Sequence, residues 1–257
     1  MQKEDFADLY ALEEKFWWFA GMREIAASVL DDFCESGNLK VLDAGCGTGL
    51  NLEWLRRYAP PENIFGLDYS ADAIDFCKER NLKNLVQGSA TDLPFADESF
   101  DLITSFDVLV QLFGDSGDTQ AINEMFRVLK PNGLIFVRGA AYQWMRSGHD
   151  IAVNSQRRYT LSELKSKLEK SGFSVLRSTY ANTLLFPAAV IRRHIMKPLG
   201  IGETGSDVKP LPPKMDWLNS FFTKNMFAEA RFLKNPKRSL PFGLSAICVA
   251  RKSEQPA

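Results

Sequence analysis

Histidine and cysteine are scarce in this sequence. There are two histidines, His149 and His194, and four cysteines, Cys34, Cys46, Cys77 and Cys248, none of them in a C-x-x-C pair. A zinc site has few donors to draw on, and scattered thiols do not make a disulfide framework, so no metal and no disulfide is expected. An excess of one charge is missing too. The 31 Lys/Arg against 32 Asp/Glu leave a formal −1, without the global basic field that favours nucleic acid. The longest apolar run, around residues 184–191, is short for a membrane span and contains Pro187. The opening MQKEDFADLY is acidic and polar, unlike a secretory leader. These absences give the expectation of a cytoplasmic protein with reduced thiols.

What is present suits one large α/β domain: 257 residues with 45% hydrophobic side chains can bury a sizeable core. Residues 1–37 read as helical, with Leu9, Leu12 and Phe16, then Ile25, Val29, Leu30 and Phe33, near a 3.6-residue period. From Lys40 short strands alternate with helices. VLDAG, NIFGLDYS, NLVQGSA, FDLITSFD and LIFVRGA read as five strands. Ser70 can cap ADAIDFCKER, and AINEMFRVLK is amphipathic up to the PNG stop at 131–133. Thr160 and Glu163 form a capping box before LSELKSKLEKSG, and FSVLRSTY and LSAICVARK supply two more strands. This alternation predicts a parallel sheet covered by helices on both faces.

Residues 181–243 break the rhythm, with seven of the twelve prolines and ten Lys/Arg against four Asp/Glu. The expected organisation is therefore a helical cap over 1–37, a core over 38–180, an insertion over 181–243, and a final strand with its tail over 244–257.

The stretch KVLDAGCGTGLNLEWL holds Gly45, Gly47 and Gly49 directly after an apolar run. A dinucleotide fingerprint, G-x-G-x-x-G, requires a third glycine where Leu50 stands. Asp43 would repel a pyrophosphate, but a carboxylate there accepts hydrogen bonds from an ammonium group, directly or through water. That polarity suits an amino-acid-bearing cofactor such as S-adenosylmethionine. Asp68 closes the second strand, 19 residues after Gly49, where a carboxylate can take both ribose hydroxyls. NAD proteins use the same device, so Asp68 supports an adenosine ligand without choosing between them. Cys46 has no histidine or basic cluster near it in the sequence to activate it, and reads as a small residue in a tight turn.

Taken in order, VLDAGCGTG, GLDYS, GSATDLPFADESFDLI and RVLKPNG resemble the motifs of class I S-adenosylmethionine-dependent methyltransferases. The likeness spans roughly residues 38–140 and is to the broad group that includes ubiquinone- and menaquinone-pathway enzymes. It implies a Rossmann-like, seven-stranded, mostly parallel sheet with the last strand antiparallel, helices on both faces, an N-terminal helical cover and an insertion before the last strand. It also implies S-adenosylmethionine as cofactor and S-adenosylhomocysteine as product. Asp43, Gly45 and Gly47 would line the methionine and ribose part, and Asp68 would bind the ribose hydroxyls. The adenine would lie between Tyr69 and the Ser89–Ala90 turn, and Asp107 would contact cofactor or substrate. Ser89 departs from the aspartate common at its position.

Methyl transfer from an activated sulfonium needs alignment and desolvation. A hydroxyl acceptor also needs a base, an amine must arrive neutral, and a carboxylate needs neither. His149 follows the fifth strand and is the base candidate, with Asp150 to orient it; a plain surface histidine is the competing reading. Asp107 is the second catalytic candidate. Arg157, Arg158 and Tyr159 could grip an anionic acceptor or form a solvated turn, and Tyr142 and Trp18 complete the acceptor candidates. The RRYT to NTLLFP pattern is similar to a bacterial subset of these methyltransferases. In EEKFWWFAGMR, Trp17 or Trp18 could wall off water and Arg23 meet the cofactor carboxylate. The insertion reads as a lid, a dimer surface or a patch for peripheral membrane contact. A small, lipid-like or anionic acceptor is expected, and nucleic acid is not, since no Asn-Pro-Pro-aromatic motif occurs. The oligomeric state is open. The competing reading is a cofactor-binding sensor or assembly protein that does no chemistry.

Overall fold

The computed structural model describes residues 3–34, 37–196 and 216–253, with His149 by its backbone alone. The chain begins with helices α1 (Lys3–Leu12) and α2 (Trp17–Leu30). Strand β1 (Val41–Ala44) and helix α3 (Leu50–Trp54) follow, then β2 (Ile64–Asp68) and α4 (Ala71–Glu79). After β3 (Leu85–Gln87) and β4 (Phe100–Phe106) come α5 (Gly117–Val128), β5 (Leu129–Ala140), α6 (Gly148–Ala152) and α7 (Leu161–Lys170). Strand β6 (Phe173–Ala181) leads into α8 (Phe186–Ile191), which a π-helical turn extends to Met196. Helix α9 (Asp216–Leu233) and β7 (Ser245–Lys252) complete the described chain.

The seven strands form one sheet in the order β3-β2-β1-β4-β5-β7-β6. Pairing is parallel from β3 to β5, whereas β7 runs antiparallel to both β5 and β6. Alternating apolar side chains bury both faces. Ile103, Ile135, Val137 and Cys248 face α5 and α7, while Leu102, Phe136, Ile247 and Val249 join the core beneath α2 and α9. Each such side chain taken from water contributes about 1.5–3 kcal/mol. Ser70 caps α4, and the Thr160–Glu163 capping box starts α7.

Two local outcomes differ from the sequence pattern. Helix α5 stops at Val128, and Lys130 to Gly133 already belong to β5. A residue before proline is pushed towards extended backbone, so Pro131 ends the helix earlier than its own position. The second difference lies in the insertion. Helix α9 returns to the core and packs along α2, so closely that a Cβ on Gly21 would stand 2.4 Å from the Met226 Cβ. Asn219 Oδ1 accepts from the Trp17 amide at 2.9 Å, and Trp17 packs on Phe222 at 5.0 Å between centroids. Residues 197–215 of the insertion lie outside the described residues.

Candidate cofactor and acceptor site

The carboxyl ends of the parallel strands open into one cavity of about 1180 Å³. It sits where the strand order reverses between β1 and β4, the place at which open α/β sheets take ligands. Ligand pockets usually measure about 300–1,000 Å³, so this one lies just above that range.

The glycine loop forms its floor. The amides of Gly45 and Cys46 donate to the Leu67 carbonyl at 2.7 and 2.9 Å, which ties the loop to β2. Gly45 and Gly47 have φ of 97° and 54°, and only the Leu9 side chain, at 4.0 Å, comes within 4 Å of where a Gly47 Cβ would stand. A side chain at Gly47 would therefore be strained and would take up ligand space. The close helix–strand approach that a third glycine gives in dinucleotide folds comes here from Gly66 on β2, whose added Cβ would meet Leu52 at 2.6 Å.

Two carboxylates flank this loop. Asp43 is fully buried; Thr104 Oγ1 donates to its Oδ1 at 2.7 Å, while Oδ2 has no hydrogen-bond partner. Burial, with Asp68 nearby and only partly offset by the Thr104 bond, pushes its carboxyl up to about 7. Asp68 lines the cavity and accepts from the amides of Gly47 and Ser70, both at 2.9 Å. Burial raises its pKa as well, against those amide bonds. Tyr69 stands 81% exposed, and Tyr69, Ser89 and Ala90 all line the cavity. An orphaned buried carboxylate oxygen, a space that any side chain at Gly47 would enter, and two acids suit a cationic, ribose-bearing ligand. They suit a pyrophosphate poorly. The residues fit S-adenosylmethionine.

Further along the sheet edge, Arg138 lies buried with its guanidinium 4.9 Å from the centroid of Trp18 and 5.1 Å from that of Phe106. Its Nε and Nη2 both donate to Asp107 Oδ2, at 2.9 and 2.5 Å, and Asp107 holds a φ of 59°. Trp18, Arg23, Asp107 and Arg138 all line the cavity. The N-terminal cover is latched to the loop. Glu13 accepts from Thr48 Oγ1 at 2.5 Å and from Arg80 Nη2 at 2.8 Å, and Arg80 Nε donates to the Thr48 carbonyl. The Glu13–Thr48–Arg80 set and Arg138 were not singled out from sequence. Their partners lie 31 to 67 residues away, beyond any local motif.

The acceptor candidates divide. Arg158 reaches the cavity wall, but its Nε donates to Asp150 at 2.6 Å and its Nη1 to the Ala141 carbonyl at 3.0 Å. Asp150 also accepts from the Ser147 amide at 2.7 Å. Tyr159 faces away from the cavity: it is buried in the core, and its hydroxyl donates to Asp118 at 2.6 Å. Arg157 holds Asp118 at 3.1 Å and the Leu112 carbonyl, and Tyr142 stacks on Tyr180 at 5.1 Å. Arg157, Tyr142, Tyr159 and the fully buried Asp43 do not line the cavity. Alternate residues of an extended segment point to opposite sides, so three neighbours in sequence cannot all turn to one ligand. His149 sits on α6, which lends Asp150 and Ala152 to the wall; its side chain lies outside the described residues. Cys46 is buried 3.9 Å from Cys77 Sγ, and that thiol together with burial holds it protonated. The far wall comes from α8 and its extension, through Leu185, Ala188, Ala189, Arg192 and Arg193.

Residues 42–137 match the family described as Methyltransferase domain. A probable S-adenosylmethionine-dependent methyltransferase of Mycolicibacterium smegmatis is 29% identical over 64% of this chain. A fatty-acid O-methyltransferase of the same organism is 37% identical over 37% of it. The matches span 62% and 34% of those two relatives' own lengths. In fold the chain is similar to the 4+2 cyclase SpnF, with a TM-score of 0.56 and 21% identity over 92% of this chain and 82% of that one. The ordered motifs, the strand order and this domain match agree: residues 42–137 form a methyltransferase domain, similar to that of S-adenosylmethionine-dependent methyltransferases.

Proposed function

We propose that this protein transfers a methyl group from S-adenosylmethionine to a small molecule with an anionic head and an apolar body. The observation that carries the reading is Asp68 at the end of β2, which accepts from the amide of Gly47 beside that glycine's open face, with the buried Asp43 on the neighbouring strand β1. The bound cofactor supplies an activated methyl group on sulfur. Asp68 accepts hydrogen bonds from the ribose, Tyr69 and the Ser89–Ala90 turn hold the adenine, and Asp43 balances the positive charge. Arg23, on the cavity wall, takes the cofactor carboxylate.

The acceptor occupies the remaining volume. Arg138, Arg192 and Arg193 favour an anionic head, and Leu185, Ala188 and Val110 offer an apolar wall. Asp107 fixes Arg138 for that task. The fatty-acid O-methyltransferase among the relatives accords with such an acceptor. Where the acceptor is a hydroxyl, we assign the base to His149. His149→Ala then lowers kcat by about 100-fold while cofactor affinity is unchanged; an unchanged kcat removes His149 as the base and leaves a carboxylate acceptor, which needs none. Transfer itself is tested by incubating the protein with methyl-labelled S-adenosylmethionine and long-chain carboxylates or phenols. Label in an extractable ester or ether supports the reading. Cofactor binding without any transfer, across acceptors that fill the cavity, would favour the non-catalytic sensor instead.

A further inference from the structure

The segment that walls the far side of the cavity is built inside out. Along residues 184–196, Leu185, Ala188, Ala189, Arg192 and Arg193 recur at helical spacing and line the cavity. Residues on the outer side of this segment are apolar and open: Leu184 is 59% exposed, Ile191 49% and Ile195 54%. An ordinary surface helix keeps its apolar stripe inward and its arginines in water. Here the arginines are half-buried and the isoleucines are out. The turn before α6 continues the pattern. Arg193 Nη1 donates to the Met145 carbonyl at 2.9 Å, next to Trp144, which is 53% exposed and packs on His194 at 5.4 Å. On α6, Ile151 is 77% exposed while its neighbour Asp150 lines the cavity.

Charge selects the occupant of this outer face. Arg146 and His194 are exposed on this side, whereas Arg192 and Arg193 turn to the cavity beside the buried Asp150. Arg146 bonds the main-chain carbonyls of Ser155 and Gln156, which leave its charge uncancelled. A second copy of the chain docked here by a two-fold axis would set like charges against each other. Among the described residues no helix is long and apolar enough to cross a membrane. An apolar face with a tryptophan and basic side chains, on a segment too short to span, is what lies in the headgroup layer of an anionic bilayer.

We propose that Trp144, Ile151, Leu184, Ile191, Ile195 and Met196 form a docking surface for anionic lipid bilayers, at the rim through which the acceptor enters. The face serves the acceptor site, so its purpose rests on the methyl-transfer reading, although the contact with lipid does not. An acceptor with an apolar body would then pass from the bilayer into the cavity along the α8 wall without crossing water.

The test is flotation of the full chain with phosphatidylcholine vesicles, either pure or containing about 30% phosphatidylglycerol. The expected result is at least tenfold more protein floating with the anionic vesicles, a loss of that excess at high salt, and its abolition in I191E/I195E. Circular dichroism and S-adenosylmethionine binding of the variant should match the parent, since both isoleucines point away from the cavity wall. Equal recovery with neutral and anionic vesicles, from folded parent protein, overturns the docking surface. So does a dimer in sedimentation that I191E/I195E dissolves while the parent ignores vesicles, because the face then belongs to a second copy. Vesicle binding by a chain that binds no S-adenosylmethionine sinks the methyl-transfer reading and leaves the surface standing.

Discussion

Asp43 sits fully buried with one oxygen unpartnered and its carboxyl pushed up to about 7, above the ordinary value of about 4. The folded protein therefore holds a proton that the unfolded chain releases. Its contribution to stability is complete below about pH 4 and is lost as pH rises through about 7, with a slope of at most about 1.4 kcal/mol per unit. Denaturant titrations across that window should lose this slope in Asp43→Asn. A cationic cofactor favours the ionised form, so binding near pH 6 releases up to about one proton. Calorimetry in buffers of different ionisation enthalpy measures that release, which Asp43→Asn should eliminate; a buffer-independent enthalpy in the parent would contradict the role. Gly45, Gly47 and Asp68 stand out in the sequence because one loop and one strand end carry them, and all three line the cavity, whereas Asp43 is buried behind it. Arg157 to Tyr159 misled for the opposite reason. Three polar neighbours looked like one cluster, yet Tyr159 and Arg157 close around Asp118 inside the fold.

Helices α1, α2 and α9 show how distant segments build one cover. The buried Arg177 on β6 binds it to the sheet, donating to the Ser28 carbonyl at 3.0 Å and to the carbonyls of Leu233 and Asn235. A cation at the carboxyl ends of α2 and α9 meets the negative ends of both dipoles. Arg177→Ala leaves those carbonyls unpaired and should cost about 3 kcal/mol in urea unfolding, with Arg177→Lys recovering part of it. Arg80 does the same for α1 through Glu13, Glu14 and the ring of Tyr10, 4.2 Å from its guanidinium. In Arg80→Ala, amide exchange should rise over residues 3–14 and stay unchanged in β1 and β4; uniform exchange would show that Arg80 is no latch. The strands were readable because both faces are buried and their apolar runs are short. Helix α9 was not, since DWLNSFF carries aromatics that serve both the α2 contact and the exposed side.

For the whole molecule, the reversal of strand order between β1 and β4 gathers the ends of five parallel strands, and the start of β7, around one cavity. Local spacing predicted a parallel sheet, and the family resemblance implied its antiparallel last strand. The acceptor wall was hidden, because α8 acquires its meaning only from which side meets the cavity. The central claim is that the loop at Gly45 to Gly49 and the acid at Asp68 hold S-adenosylmethionine. Isothermal titration of the full chain with that cofactor, and in parallel with NADH, tests it most directly. Saturable one-site binding of S-adenosylmethionine is predicted, weakened at least about tenfold in Asp68→Asn with the fold intact by circular dichroism, and no binding of NADH. A chain that binds NADH, or that leaves S-adenosylmethionine free at millimolar concentration, would contradict the account.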